Sequence, residues 1–293
     1  MINTSPFFIL ANPRSGSSLL RIICESHSQL SVPPESGFME WWYKKYKNWK
    51  HEDSLNPERV ELFVADIMKS KKIETWYLDP KALVESIHNE TPNTYAQLIA
   101  LIYISFAIKG GKNLKFWGDK NNYYIHKTSL LDELYPNAKY IHLIRDGRDV
   151  ATSYIALKDL KSESSYKPKL TYNIEEIAKE WNDNNIALKA FLDNIEKQRV
   201  IRIYFEDIIK NLKEECIKIT NFLGVPFEEK MLEYYVQNKE KLMEPIETLD
   251  WKKKTLEKPD IQVVGKYTAL LSEKEVSTFN DIAGQALQYF NYE

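Results

Sequence analysis

The chain has 293 residues, 43% of them hydrophobic and 28% charged, and its 40 Lys and Arg against 42 Asp and Glu leave a formal net charge of −2. Those values exclude a disordered or collagen-like chain and allow a substantial buried core. They also exclude a global basic field for nucleic acid or an anionic membrane, so an anionic ligand has to be met by individually placed Arg and Lys side chains.

Cys24 and Cys216 are far apart, each inside an apolar helical pattern, which argues against a disulfide framework. With no CxxC or Cys/His cluster at metal-ligand spacing, the expectation is no metal. Phe7 to Ala11 is too short for a signal-peptide core and runs into Asn12-Pro13. Leu98 to Ile108, the longest apolar stretch, is well short of the ~20 residues that cross a bilayer. A cytoplasmic protein with no transmembrane segment is expected; the oligomeric state is not legible.

In chain order, short β-rich runs alternate with long helical patterns, the grammar of an α/β fold. Strands are predicted at Phe7 to Leu10, Lys115 to Trp117, Tyr140 to Ile144 and Val200 to Tyr204, each apolar enough for a buried parallel sheet. Between the first two, residues from about 40 to 110 show helical periodicity and no strand, and read as a helical insertion. Asn211 to Leu223 has helical spacing and a stop signal in Gly224 and Pro226. The prediction is one domain over residues 1–293: a three-layer α/β fold of the P-loop type, with a central parallel sheet of four to five strands flanked by helices. In such sheets ligands sit beyond the carboxyl ends of the strands.

The loop Asn12-Pro13-Arg14-Ser15-Gly16-Ser17-Ser18 lies between the first strand and a helix starting near Leu19. Gly16 admits a phosphate close to the backbone, the helix N-terminus adds partial positive charge, and Arg14, Ser17 and Ser18 supply donors. The same string also suits a serine-rich turn capping a helix. It lacks the G-x-x-x-x-G-K-[ST] spacing of a nucleotide-triphosphate loop, which disfavours ATP chemistry. A second strand end, Ile144-Arg145-Asp146-Gly147-Arg148-Asp149, precedes a helix whose first turns carry Ser153. Alone it reads better as a charged turn, with Asp149 favouring the helix N-terminus. Together the two loops suit a ligand with phosphates at both ends.

These residues resemble the sulfotransferases that use 3′-phosphoadenosine 5′-phosphosulfate (PAPS), whose two nucleotide elements look like PRSGSSLLR and IRDGRDVATS. The pattern is nearest to the tyrosylprotein sulfotransferases and their bacterial relatives. The likeness extends to Val32-Pro33-Pro34-Glu35, Gly118-Asp119-Lys120, Tyr135 to Lys139, and Val264-Gly265-Lys266. It implies that Arg14, Ser15, Gly16, Ser17 and Ser18 hold the 5′-phosphosulfate, with Arg14 also counted among the catalytic groups. Arg145 and Ser153 correspond to 3′-phosphate ligands, Tyr204 to a nucleotide contact, and Lys266 to a C-terminal phosphate loop, although the Arg-Lys-Gly cluster of cytosolic relatives is absent. Glu35 falls where the protein-tyrosine branch has its general base, and Lys120 at a catalytic cation. The implied product is adenosine 3′,5′-bisphosphate and the partner a hydroxyl-bearing acceptor: a peptide tyrosine, a carbohydrate or a small molecule.

The chemistry makes separate sense of the last two roles. An acceptor hydroxyl attacking sulfur in line must lose a proton, and the departing phosphate oxygen gains charge. Glu35 suits the first task best if burial raises its pKa, or if proton transfer is concerted with late bond formation. His126 is the second choice of base, ahead of His27 and His142. Asp119 orients Lys120 or caps the next helix. Trp41, Trp42, Tyr43, Tyr46 and Trp49 read as core rather than as an acceptor platform, and Lys252 to Lys254 as a solvated run that would attract an acidic peptide if functional. A small-molecule or nucleotide kinase and a non-catalytic nucleotide-binding module are the alternatives.

Overall fold

The computed structural model describes residues 5–292. Five parallel strands form one sheet: β1 (Phe7–Leu10), β2 (Leu30–Ser31), β3 (Phe116–Lys120), β4 (Lys139–Ile144) and β5 (Val200–Tyr204), in the spatial order β2-β3-β1-β4-β5. The central strand β1 pairs with β3 and β4, with Phe8 in register with Asp119 and Tyr140. Successive β-residues face opposite sides, so this short apolar run fills two cores. Phe8 and Leu10 pack with Trp117 and Tyr140 on one face. Phe7 and Ile9 pack with Ile141, Leu143 and Ile203 on the other.

Helices cover both faces. Ser17–Glu25 and Leu212–Leu223 bury Leu20, Ile23, Cys216 and Ile219 in the second core. The strandless region between β2 and β3 covers the first, through helices Pro57–Ile67, Pro80–Glu90 and Tyr95–Lys109. The last of these is apolar nearly all round and lies directly against β3, so this part of the insertion is a layer of the sheet. A third apolar cluster joins helices Gly147–Ile155, Ile174–Leu192 and Glu273–Tyr289 through Tyr154, Trp181 and Phe279.

Two predicted strands shift and a fifth is added: β4 starts one residue earlier than expected, at Lys139. β3 starts one residue later than expected and runs on through Gly118, Asp119 and Lys120, whose polar side chains are buried at the strand's end. β2 was not expected; two residues are too few to give a periodic signal, and Leu30 and Ser31 are recruited by pairing with Phe116 and Trp117. β2 ends four residues before Glu35, so that loop too leaves the carboxyl edge of the sheet.

Candidate active site

A cavity of about 580 Å³ opens at that carboxyl edge, and the segment after each of the five strands contributes to its wall. The first wall is the loop after β1. Gly16 sits at φ +90°, and a Cβ there would lie 2.3 Å from Phe205, so the turn and the close approach both need glycine. Arg14 also takes a positive φ, 65°. The first intrahelical bond runs from Leu20 N–H to the Gly16 carbonyl, 3.1 Å, which leaves the N–H groups just before it free of helical acceptors. Arg14 donates from Nε to Ser153 Oγ, 3.1 Å, and from Nη2 to the Trp251 carbonyl, 3.0 Å. The two loops singled out in the sequence are thus in direct contact.

One end of the cavity gathers cations. Arg145, from the end of β4, donates from Nη2 to the Val263 carbonyl, 2.9 Å, and its guanidinium carbon lies 4.3 Å from the centre of the Phe205 ring. Its Nε is buried and has no hydrogen-bond partner among the described residues, as is true of Ser15 Oγ. Lys266 lines the same end; burial, Arg145, Lys254 and Arg14 together push its pKa down to about 8 against the opposing pull of Asp149. Burial and then Arg145 lower Arg14 to about 10. Cations held this close favour an anion among them. Asp149 does more than sit in a helix's first turn: its two oxygens accept from the backbone N–H of Gly265, 2.8 Å, and Tyr267, 3.0 Å, and so hold the Lys266 loop against the helix Gly147–Ile155 that follows Arg145.

At the other end stand Glu35 and Lys120. Lys120 Nζ forms an ion pair with Glu35 Oε1, Lys72 Nζ lies 3.1 Å from Oε2, and Lys120 also reaches Ser18 Oγ at 3.4 Å. Trp76 Nε1 fixes the Glu35 loop by donating to the Pro34 carbonyl, 2.9 Å. Of the two conditions that would suit Glu35 to the base role, a pKa raised by burial is not met. Burial acts in that direction, but Lys120, Lys252 and Lys72 outweigh it and hold the carboxyl well below its ordinary range. Burial lowers Lys120 to about 8, with Glu35 pulling the other way.

Arg14, Gly16, Ser17, Ser18, Glu35, Lys120, Arg145, Ser153 and Lys266 all line the cavity. Ser15 lies buried behind the loop, and Ser17 Oγ donates to Asn122 Oδ1, 3.2 Å. Tyr204 does not line it: its ring packs on Tyr292, and its neighbour Phe205 is the residue that β5 delivers. Asp119 turns to the opposite face from Lys120, as strand alternation requires, and accepts a bond from Tyr103 instead of orienting the lysine. His126 is exposed outside the cavity lining, His27 bonds the Pro226 carbonyl at 2.7 Å, and His142 is buried within β4, where burial lowers its pKa to about 3. Tyr46 and Trp49 are buried against Phe63, away from the cavity. Lys252, Lys253 and Lys254 do line it, and Lys72 joins them without any signal in the sequence. Among the described residues no group of three or more His, Cys, Asp or Glu side chains is placed to hold a metal ion, and no helix is long and apolar enough to cross a membrane.

The model of the sulfotransferase family matches residues 6–229, which takes in the Asn12 to Ser18 and Arg145 to Ser153 segments, Glu35, Lys120 and all five strands. The chain belongs to the sulfotransferase family. Among its relatives, protein-tyrosine sulfotransferase A of Caenorhabditis elegans is 24% identical over 236 residues, 79% of this chain and 53% of the relative. Protein-tyrosine sulfotransferase of Drosophila melanogaster is 24% identical over 233 residues, 78% of this chain and 39% of the relative. The chain therefore spans about half or less of the length of these curated relatives. In fold it is similar to the sulfotransferase domain from the curacin biosynthetic pathway, with TM-score 0.60, 21% identity and coverage of 99% and 98% of the two chains. The sulfotransferase domain of the Synechococcus PCC 7002 olefin synthase gives TM-score 0.62, 20% identity and coverage of 97% and 96%. A mouse sulfotransferase complexed with PAP gives TM-score 0.54, 13% identity and coverage of 97% and 85%.

Proposed function

We propose that this chain transfers a sulfuryl group from PAPS to an acceptor hydroxyl by in-line displacement, with Glu35 as the proton acceptor. The observation that carries the reading is the polarity of the cavity: Arg145, Ser153 and Lys266 at one end, the Glu35–Lys120 pair at the other, and the Arg14 to Ser18 loop between. The orphaned Nε of Arg145 and the close backbone approach at Gly16 suit a ligand with phosphate at each end.

In this reading the acceptor oxygen attacks sulfur, the bond from sulfur to the 5′-phosphate oxygen breaks, and the electron pair leaves with adenosine 3′,5′-bisphosphate. The acceptor proton goes to Glu35. A carboxylate held at low pKa is a weak base while Lys120 is paired with it. Movement of Lys120 toward the leaving oxygen stabilises that oxygen and raises the basicity of Glu35 in the same event, so late, concerted proton transfer fits the geometry. The acceptor class named by the relatives is protein tyrosine; sugars and small hydroxyl compounds remain in the test panel. Transfer of labelled sulfate from PAPS to tyrosine peptides, saccharides and phenols tests the proposal. Incorporation lost in Glu35→Ala with nucleotide binding kept is expected, and incorporation unaffected by that substitution would remove Glu35 from the mechanism.

A further inference from the structure

Behind the Glu35–Lys120 pair lies a buried charge cluster with two cations and one carboxylate. Glu244 is 1% exposed; its Oε2 meets Arg21 Nη2 at 2.8 Å and its Oε1 meets Lys252 Nζ at 2.5 Å and Thr248 Oγ1 at 2.7 Å. Arg21, also 1% exposed, donates in addition to the carbonyls of Val32, 2.9 Å, and Met243, 2.7 Å. The cluster thus joins three walls of the cavity. Arg21 lies on the helix that begins at Ser17, Val32 opens the loop to Glu35, and Lys252 belongs to the C-terminal segment. The residue before Lys252, Trp251, accepts the bond from Arg14.

Glu244 neutralises only one of the two cations, and the nearest other carboxylate, Glu35, already faces Lys120 and Lys72, so four cations meet two carboxylates and the surplus charge is costly without a further anion. Arg21 is enclosed by its two carbonyls and Glu244, whereas Lys252 lines the cavity beside Ser18, Glu35 and Lys120. The uncompensated positive charge therefore faces the place where the proposed reaction moves its anionic group.

Building on the sulfotransferase reading, we propose that Lys252 is a further catalytic residue whose ammonium contacts the oxygens of the transferred sulfuryl group, and that Glu244 is the positioning residue that aims it. Lys120 serves the bond that breaks; Lys252 holds the group that moves. No new bond chemistry is required, because Lys252 acts as a fixed charge and exchanges no proton.

The experiment compares PAPS with adenosine 3′,5′-bisphosphate, which lacks the sulfuryl group, by calorimetric titration of the full chain. Lys252→Met is expected to weaken PAPS binding roughly tenfold or more, the worth of one charge-assisted hydrogen bond, while adenosine 3′,5′-bisphosphate binds as to wild type. Lys252→Arg should restore most of the difference. Glu244→Gln should reproduce the selective loss if it folds; Thr248→Val, which removes one bond to the same carboxylate, should give a smaller loss of the same kind. Equal loss for both nucleotides, or no loss for either, would overturn the assignment of Lys252 while leaving the family reaction in place. A wild-type chain that binds neither nucleotide would instead remove the sulfotransferase reading, and this inference with it.

Discussion

Glu35 and Lys120 leave different strand ends, β2 and β3, yet close on each other as an ion pair, with Lys72 at 3.1 Å on the second carboxylate oxygen. The pair places a deprotonated carboxylate and a buried ammonium at one end of a cavity whose other end is lined by Arg145 and Lys266.

That pairing sets a pH dependence. Burial lowers Lys120 to about 8, so its ammonium is present below that pH and lost above it. Glu35, held well below its ordinary range, stays deprotonated through neutrality. Turnover should be flat through neutral pH and fall as pH rises through the Lys120 value. A kcat/KM profile checks this, and Lys120→Arg should keep its activity further into the alkaline range than wild type. A profile with no alkaline limb would count against Lys120.

Gly16→Ala forces a side chain into a left-handed position and against Phe205, whose ring cannot yield without abandoning Arg145. The expected cost is about 1–3 kcal/mol of stability, with loss of nucleotide binding. Thermal unfolding and titration with adenosine 3′,5′-bisphosphate measure both. Adding Phe205→Leu should recover part of the stability, because it relieves the clash and leaves the backbone strain.

Arg145→Ala should weaken adenosine 3′,5′-bisphosphate by about 1.5–3 kcal/mol, the usual worth of a hydrogen bond to a charged group. Adenosine 5′-phosphosulfate, which has no 3′-phosphate, should bind the variant and wild type alike. Equal losses for both ligands would place Arg145 in the fold and not at the 3′-phosphate.

Much of the site was legible because strand ends and their loops are contiguous in sequence. Asn12 to Ser18 and Arg145 to Ser153 each carry their cation, their turn and their helix start in one string, and β1 and β5 have the predicted bounds. Lys72 and Lys252 lie in irregular or short helical segments and reach the cavity only through tertiary packing, so Lys72 carries no local pattern and Lys252 shows only as part of a lysine run that reads as solvated. Glu35 could be named from its motif, but its low pKa depends on lysines 37, 85 and 217 positions away. Tyr204 was displaced by its neighbour Phe205, because the polypeptide turns from strand to helix at that point and the adjacent side chain faces the cavity.

The Glu244 cluster predicts an acid-labile element. Burial opposes ionisation of Glu244, but Lys252 and Arg21 prevail and lower its pKa from the usual 4.5 to about 2. A depressed folded-state pKa contributes stability above the usual value, and that contribution is lost as pH falls through the folded value. The stability gap between wild type and Glu244→Gln should therefore be widest near neutral pH and shrink as pH falls from 4.5 toward 2. Denaturant unfolding across that range measures it, and a constant gap would show that Glu244 remains ionised or acts only by packing.

Donor preference separates sulfuryl transfer from ATP chemistry. In calorimetric titration of the full chain, adenosine 3′,5′-bisphosphate should bind at one site without any divalent metal, and ATP with Mg²⁺ should compete poorly. Binding of ATP with Mg²⁺ in preference, with no response to adenosine 3′,5′-bisphosphate, would rule out PAPS as the donor.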